Sequence, residues 1–166
     1  VRGVRCSGAH HPDPGVRSWA EEGLLRRPDF VRGFAAIAER GLSFEAWVYS
    51  HQLPEVVTLA TEYPEVSIVL DHYATPVGLF GPRGRRTGQT ESDRRAILDR
   101  WTDDIAAVAA LPNVVAKHSG LGMPVLGLDG AVTVRLERSG GPACWQAYFP
   151  TPIQNDAGQY KAKVSR

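Results

Sequence analysis

His72 closes the apolar run VSIVLDH at residues 66–72. An imidazole at the dry rim of a strand suits a base, a metal ligand or a hydrogen-bonded structural histidine. Three comparable groups end other apolar segments: Arg5 with Cys6, Tyr49 with His51, and Lys117 with His118 and Ser119. Arg5 can hold a carboxylate bidentately or join an ordinary salt bridge. Lys117 can orient an anionic group or carry its ammonium to solvent on its long stem. Neighbouring residues on a strand point to opposite faces, so Asp71 and His72 cannot both face one site, although one can support the other. By the same alternation Lys117 and Ser119 share a face, and His118 points away from it.

Other polar groups read more plainly. His10 and His11 are adjacent in an extended loop, where neighbours do not converge on one ion, and they read as solvated. The loop GPRGRR, with Arg83, Arg85 and Arg86, reads either as an anion-binding loop or as a solvated one. Three charges without aromatic partners make a weak nucleic-acid signature. No HxH, HExxH, CxxC, GxSxG, GxGxxG or GKS/GKT motif occurs.

Two kinds of segment alternate to position these groups. Strands are expected over 1–6, 43–49 (SFEAWVY), 66–72 and 114–119 (VVAKHS). Between the first two, Phe30, Phe34 and Ile37 fall at i, i+4 and i+7 on a helix over 28–40, opened by Pro28 and stopped by Gly41. Pro54 opens a second helix to about Tyr63 that buries Val56, Val57, Leu59 and Ala60. Ser92 serves as the N-cap expected for a third, whose Ile97, Trp101, Ile105 and Val108 face a sheet. The order β-α-β-α-β-α-β means an α/β fold with a parallel sheet, right-handed crossovers and ligands at the carboxyl ends of the strands. On pattern alone, a doubly wound open sheet and a barrel are both compatible. Beyond Gly127, Val132, Val134 and Leu136 alternate with polar residues as a one-sided strand, and 139–166 reads as an irregular tail.

Composition sets the outer bounds. The chain has 166 residues, 43% of them hydrophobic, and a net charge of +1, which suits one compact domain. That balance calls for neither nucleic acid nor an anionic membrane, and no apolar run approaches the ~20 residues of a membrane span. Cys6, expected as a small buried side chain, and Cys144 have neither disulfide nor zinc spacing, so a reducing, cytoplasmic setting is expected. The N-terminus carries no initiator Met and no signal-peptide core, which leads us to expect a chain that begins inside a longer protein.

The series GVR, RRPDFVRGFAAIAERGLSFEAWVY, HQLPEVVTLA, VSIVLDHY and DIAAVAALPNVVAKHSGLGMP resembles the amidohydrolase-2 family, lactonase-like metal-dependent hydrolases of the amidohydrolase superfamily, over residues 1–127. The resemblance implies a (β/α)8 TIM barrel that opens a lactone or a related small carbonyl compound. Such a barrel takes ~250 residues, so a partial barrel is expected here, with four parallel strands matching the third to the sixth. The early Asp-x-His-x-His strand and the late strand with the catalytic Asp are absent. By the resemblance, His72 matches a metal ligand or carbonyl-polarising histidine, and Tyr49, His51 and Gln52 line the pocket. Lys117 and Ser119 match a Lys-Leu-Ser-Gly segment in which His118 replaces Leu.

A divalent metal, zinc among the candidates, is the implied cofactor, although one histidine cannot make the three-ligand set of a catalytic zinc. Implied chemistry is water attack on the carbonyl with the late Asp as base, and these 166 residues alone are expected to be inactive. Two other readings remain: decarboxylation of an unsaturated or aromatic acid on the same barrel, and a non-catalytic piece that associates with a second copy through open strand edges. Residues 1–127 form the expected barrel-like domain and 128–166 a divergent tail, which a truncated, frameshifted or fused reading frame would explain.

Overall fold

The computed structural model describes residues 1–127 and, beyond them, the strands Arg135–Arg138 and Trp145–Tyr148. Four strands, β1 (Gly3–Ser7), β2 (Ser43–Trp47), β3 (Ile68–Leu70) and β4 (Val114–Ala116), pair in parallel in the order of the chain. Helices α1 (Pro28–Glu39), α2 (Leu53–Glu62) and α3 (Glu91–Ala109) form the three crossovers. Right-handed crossovers between sequential strands place every helix on the same side of the sheet, whereas a doubly wound sheet needs a reversal of strand order. The winding is therefore that of a barrel.

Strand alternation divides the two faces. Phe44, Ala46, Ile68 and Leu70 point toward the helices, where they pack with Phe34 of α1, Leu53, Val56, Leu59 and Ala60 of α2, and Trp101 and Val108 of α3. Phe34 and Phe44 meet edge to face, with ring centroids 5.0 Å apart. The intervening residues Arg5, Glu45 and Val115 face the other way, and no described helix covers them; Val115 is 56% exposed.

Local chemistry accounts for most boundaries. Gly41, at φ 59°, closes α1, its N–H donating to Ala38 O while that of Leu42 donates to Ile37 O. The cap of α3 is Thr90 and not Ser92: Thr90 Oγ1 accepts from Asp93 N at 3.1 Å, and Asp93 Oδ2 accepts from Thr90 N at 2.9 Å. Cys6 is half-buried against the core, and burial pushes its thiol pKa up. The sheet strands other than β1 stop short of the expected ends, most notably β3, which ends at Leu70 before Asp71 and His72. In the tail, β5 (Arg135–Arg138) pairs antiparallel with β6 (Trp145–Tyr148), so a strand stands at 145–148 where an irregular segment was expected. The rest of the expected strand at 132–137, and Cys144, lie outside the described residues. No described helix is long and apolar enough to cross a membrane.

Candidate functional site

On the uncovered face, four side chains converge, Arg5 and Glu45 from mid-strand and Asp71 and Lys117 from just past the ends of β3 and β4. Arg5 Nε donates to Glu45 Oε2 at 2.6 Å, and its NH2 lies 3.3 Å from Asp71 Oδ2. Lys117 Nζ bridges the same two carboxylates, 2.9 Å from Glu45 and 3.0 Å from Asp71. The register explains the meeting, since Arg5 stands opposite Glu45 on β1 and β2, and Leu70 opposite Ala116 sets Asp71 beside Lys117. Hydrogen bonds from Lys117 and then Arg5 hold the Glu45 carboxyl below its usual range, while Glu45 and Asp71 raise Lys117. The cluster is formally neutral, and Asp71 is its buried member. Glu45 and Asp71 were not among the expected substrate-binding residues; opposite charges alternating with apolar residues on adjacent strands were the available signal for Glu45.

Immediately after β3 the chain makes a left-handed turn. His72, Tyr73, Ala74 and Thr75 all have positive φ, between 39° and 57°. Each such non-glycine residue costs about 1–2 kcal/mol, so the surrounding structure has to impose the turn. Trp101 Nε1 donates to Tyr73 O at 2.9 Å, Lys117 N donates to Leu70 O at 2.8 Å, and Thr75 is fully buried. The turn sends His72 away from Asp71 and against Ser119, with Nδ1 2.9 Å from Oγ. Gly120 makes this possible, because a Cβ there would lie 2.5 Å from the His72 ring. Beside this pair, Tyr73 Oη and His118 Nδ1 are 2.7 Å apart. Asp71 and His72 thus separate through backbone handedness rather than strand alternation, and Ser119 holds an imidazole where direct substrate binding was expected.

The remaining expected residues lie elsewhere on the rim. Gln52 is buried with its amide engaged: Oε1 accepts from His10 N and Tyr49 N, and Nε2 donates to Gly8 O at 3.0 Å. It holds the loop after β2 instead of presenting a group to a ligand. Tyr49 is buried, its hydroxyl donating to Arg17 O at 2.8 Å, and burial raises its pKa. His51 lines a cleft of about 310 Å³ with His10, Glu55 and Arg100, apart from the Tyr49 hydroxyl. Burial lowers its pKa, with Arg100 adding to the effect.

His11 departs from the solvated reading, for its ring is half-buried against Tyr49 and His51, at centroid distances of 5.6 and 5.3 Å. Burial pushes its pKa down to about 4, and Asp13 N donates to its Nδ1 at 3.1 Å, which favours the neutral ring. The arginine loop holds an anion of the chain itself. Arg85 N and Arg86 N donate to the Asp13 carboxylate at 2.8–3.0 Å, joined by Gly15 N and the Thr87 hydroxyl. Burial pushes the Asp13 carboxyl up, but these donors outweigh it and hold the group well below the usual range.

A profile of the Amidohydrolase family matches residues 1–154. The chain belongs to that family. The match runs past Gly127. This amidohydrolase is 33% identical over 122 residues to the uncharacterized protein y4mH of Sinorhizobium fredii, covering 74% of this chain and 36% of y4mH. It is 29% identical over 123 residues to an L-fucono-1,5-lactonase of Burkholderia multivorans, covering 72% of this chain and 36% of the lactonase. A crystal structure of a Burkholderia multivorans amidohydrolase with bound zinc superposes with a TM-score of 0.54 at 28% identity, over 74% of this chain and 36% of that one. The amidohydrolase chain thus spans about a third of the length of the relatives it matches, and its barrel winding fits the corresponding part of such a fold.

Zinc in that neighbour makes a divalent metal the implied group, and the described residues do not fit it. No cluster of three His, Cys, Asp or Glu that could hold a metal occurs among them. His72 Nδ1 is engaged by Ser119, and Asp71 is enclosed by two cations that oppose a dication. His72 alone is one ligand short of a pair and two short of a set, so its expected role as a metal ligand has no partner among the described residues.

Proposed function

We propose that this amidohydrolase chain carries the substrate-facing strands of a hydrolase that opens a lactone or a similar small carbonyl compound. The observation that supports this most is the His72–Ser119 pair, held in a strained turn at the carboxyl end of β3. In parallel α/β folds that end of the sheet is where ligands bind. The L-fucono-1,5-lactonase among the relatives supplies the substrate class.

Ser119 fixes the His72 ring so that Nε2 is the nitrogen left for a substrate. With the serine hydroxyl donating to Nδ1, Nε2 carries the hydrogen and polarises a carbonyl oxygen; with the hydroxyl accepting, Nε2 acts as a base. The charged cluster beneath gives the uncovered face a fixed field while its carboxylates remain committed to Arg5 and Lys117. Glu45 and Asp71 are therefore not free to activate water, and the 166 residues by themselves are expected to give no turnover.

The test is a chimaera in which residues 1–127 replace the matched stretch of the Burkholderia multivorans lactonase. Opening of L-fucono-1,5-lactone by the folded chimaera is the expected result. A chimaera that melts cooperatively like its parent yet leaves the lactone intact would overturn the reading.

A further inference from the structure

The four-stranded sheet has two open edges. Ser43 N donates to Arg2 O, so the alternate residues 2, 4 and 6 of the first segment bond to β2. The backbone N–H and C=O groups of Gly3, Arg5 and Ser7 therefore point outward. At the far side Lys117 N donates to Leu70 O, and Asn113 O accepts from Ile68 N. Residues 113, 115 and 117 thus face β3, which turns the N–H and C=O of Ala116 outward. Neither edge has a partner among the described strands. Exposed apolar side chains gather at the same two places. Of the four large ones exposed among the described residues, Val1, Val4 and Val115 lie on or beside the edge strands, and β2 and β3 carry none. β4, Val-Val-Ala, also lacks the proline or charge with which edge strands commonly avoid pairing.

We propose that two copies of this chain close on each other as one eight-stranded barrel, β4 of each pairing in parallel with β1 of the other. Strand number and direction point to this closure. Right-handed crossovers leave all three helices on one side of the sheet, as in a barrel wall, and such a wall closes with eight parallel strands. Four strands are half of that. A twofold axis along the barrel sets β4 beside β1 of the second copy in the same direction, twice, so both edges are occupied and assembly stops at two. Pairing β1 on β1, about a twofold axis across the sheet, would run antiparallel and leave β4 open. Electrostatics permits the closed form, since Arg5, Glu45, Asp71 and Lys117 are together formally neutral and two uncovered faces meet without net repulsion. Closure also removes the edge valines from water. Seams this short, a strand of five residues against one of three, hold a reversible dimer and not an obligate one. The pairing does not rest on the lactone reading, and either can fail alone.

The test is sedimentation equilibrium of the full chain from about 1 µM to about 200 µM. A single monomer–dimer equilibrium with no larger species is expected. Ser7→Pro and Ala116→Pro each remove one outward N–H and leave the bonds to β2 and β3 in place. Because the dimer uses both edges of both copies, either variant should weaken association roughly tenfold or more. Ala116→Lys, a milder change at the same exposed position, should weaken it less, and Thr58→Lys on the exposed side of α2 should leave it unchanged. Urea midpoints of the dilute variants equal to that of the parent will show that they remain folded. A chain that stays monomeric throughout, open-ended growth, or a dimer unaltered in the folded edge variants would overturn the proposal.

Discussion

The two faces of the sheet are built from the same strands and differ in almost everything else. On one, Phe44, Ile68 and Leu70 are sealed under three helices. On the other, one residue along, Arg5, Glu45, Asp71 and Lys117 hold one another in place with no described helix over them. The first face gains its stability from apolar area removed from water. The second consists of charges whose mutual pairing offsets their desolvation and adds little net stability. Apolar packing and charge pairing are thus assigned to alternate residues of each strand, and substitutions on the two faces should behave differently.

The largest effect is expected from Phe44→Ala, which removes a ring packed edge to face on Phe34 and leaves a cavity under α1. Urea denaturation should show a loss of about 3–5 kcal/mol; a loss under 1 kcal/mol would mean the covered face is not the source of stability. Asp71→Asn should cost less, about 1–2 kcal/mol, because its partners are largely exposed and can turn to water. A fall as large as that of Phe44→Ala would place the charged cluster in the stabilising core.

The rim provides a pH test of intermediate size. His11 is neutral in the folded chain, with its pKa lowered to about 4, whereas the unfolded chain binds the proton near the ordinary value of about 6.5. The unfolded state binds more protons between those values, so stability should fall as pH drops from about 6.5 toward 4. Glu45 and Asp13, both depressed, add losses only as pH falls below the usual carboxylate range. Urea midpoints at pH 7 and pH 5 for the parent and for His11→Gln check this: the variant should lose part of the pH dependence, and an identical slope would refute it. Smallest of all should be Val115→Ala on the uncovered face, within about 0.5 kcal/mol.

Legibility in the sequence followed the same division. The helix-facing stripe of Phe30, Phe34 and Ile37, and the apolar cores of the strands, announce themselves by period, so the alternation of strands and helices was readable while the choice between a barrel and a doubly wound sheet was not. The cap of α3 was readable as well, since Thr90 followed three residues later by Asp93 is a capping-box pattern, yet Ser92 drew attention first. Glu45 could have been found by taking every second residue of SFEAWVY and asking what faces Arg5. The turn at His72 had no such signal. Four consecutive non-glycine residues in left-handed conformation contradict local preference, and the contacts that hold the turn come from Trp101 and Lys117, distant in sequence. The sequence reading singled out His72 without the turn that sets its direction, and without the contact between Ser119 and the imidazole.

We propose that the carboxyl end of the sheet, through His72, does the chemistry while the helix-covered face supports it. The most direct measurement is kcat/KM for L-fucono-1,5-lactone in the lactonase chimaera carrying His72→Ala. A loss of roughly 100-fold or more at an unchanged Tm is the predicted result, in line with removal of a general acid–base group. Full activity in the folded His72→Ala chimaera would contradict the account.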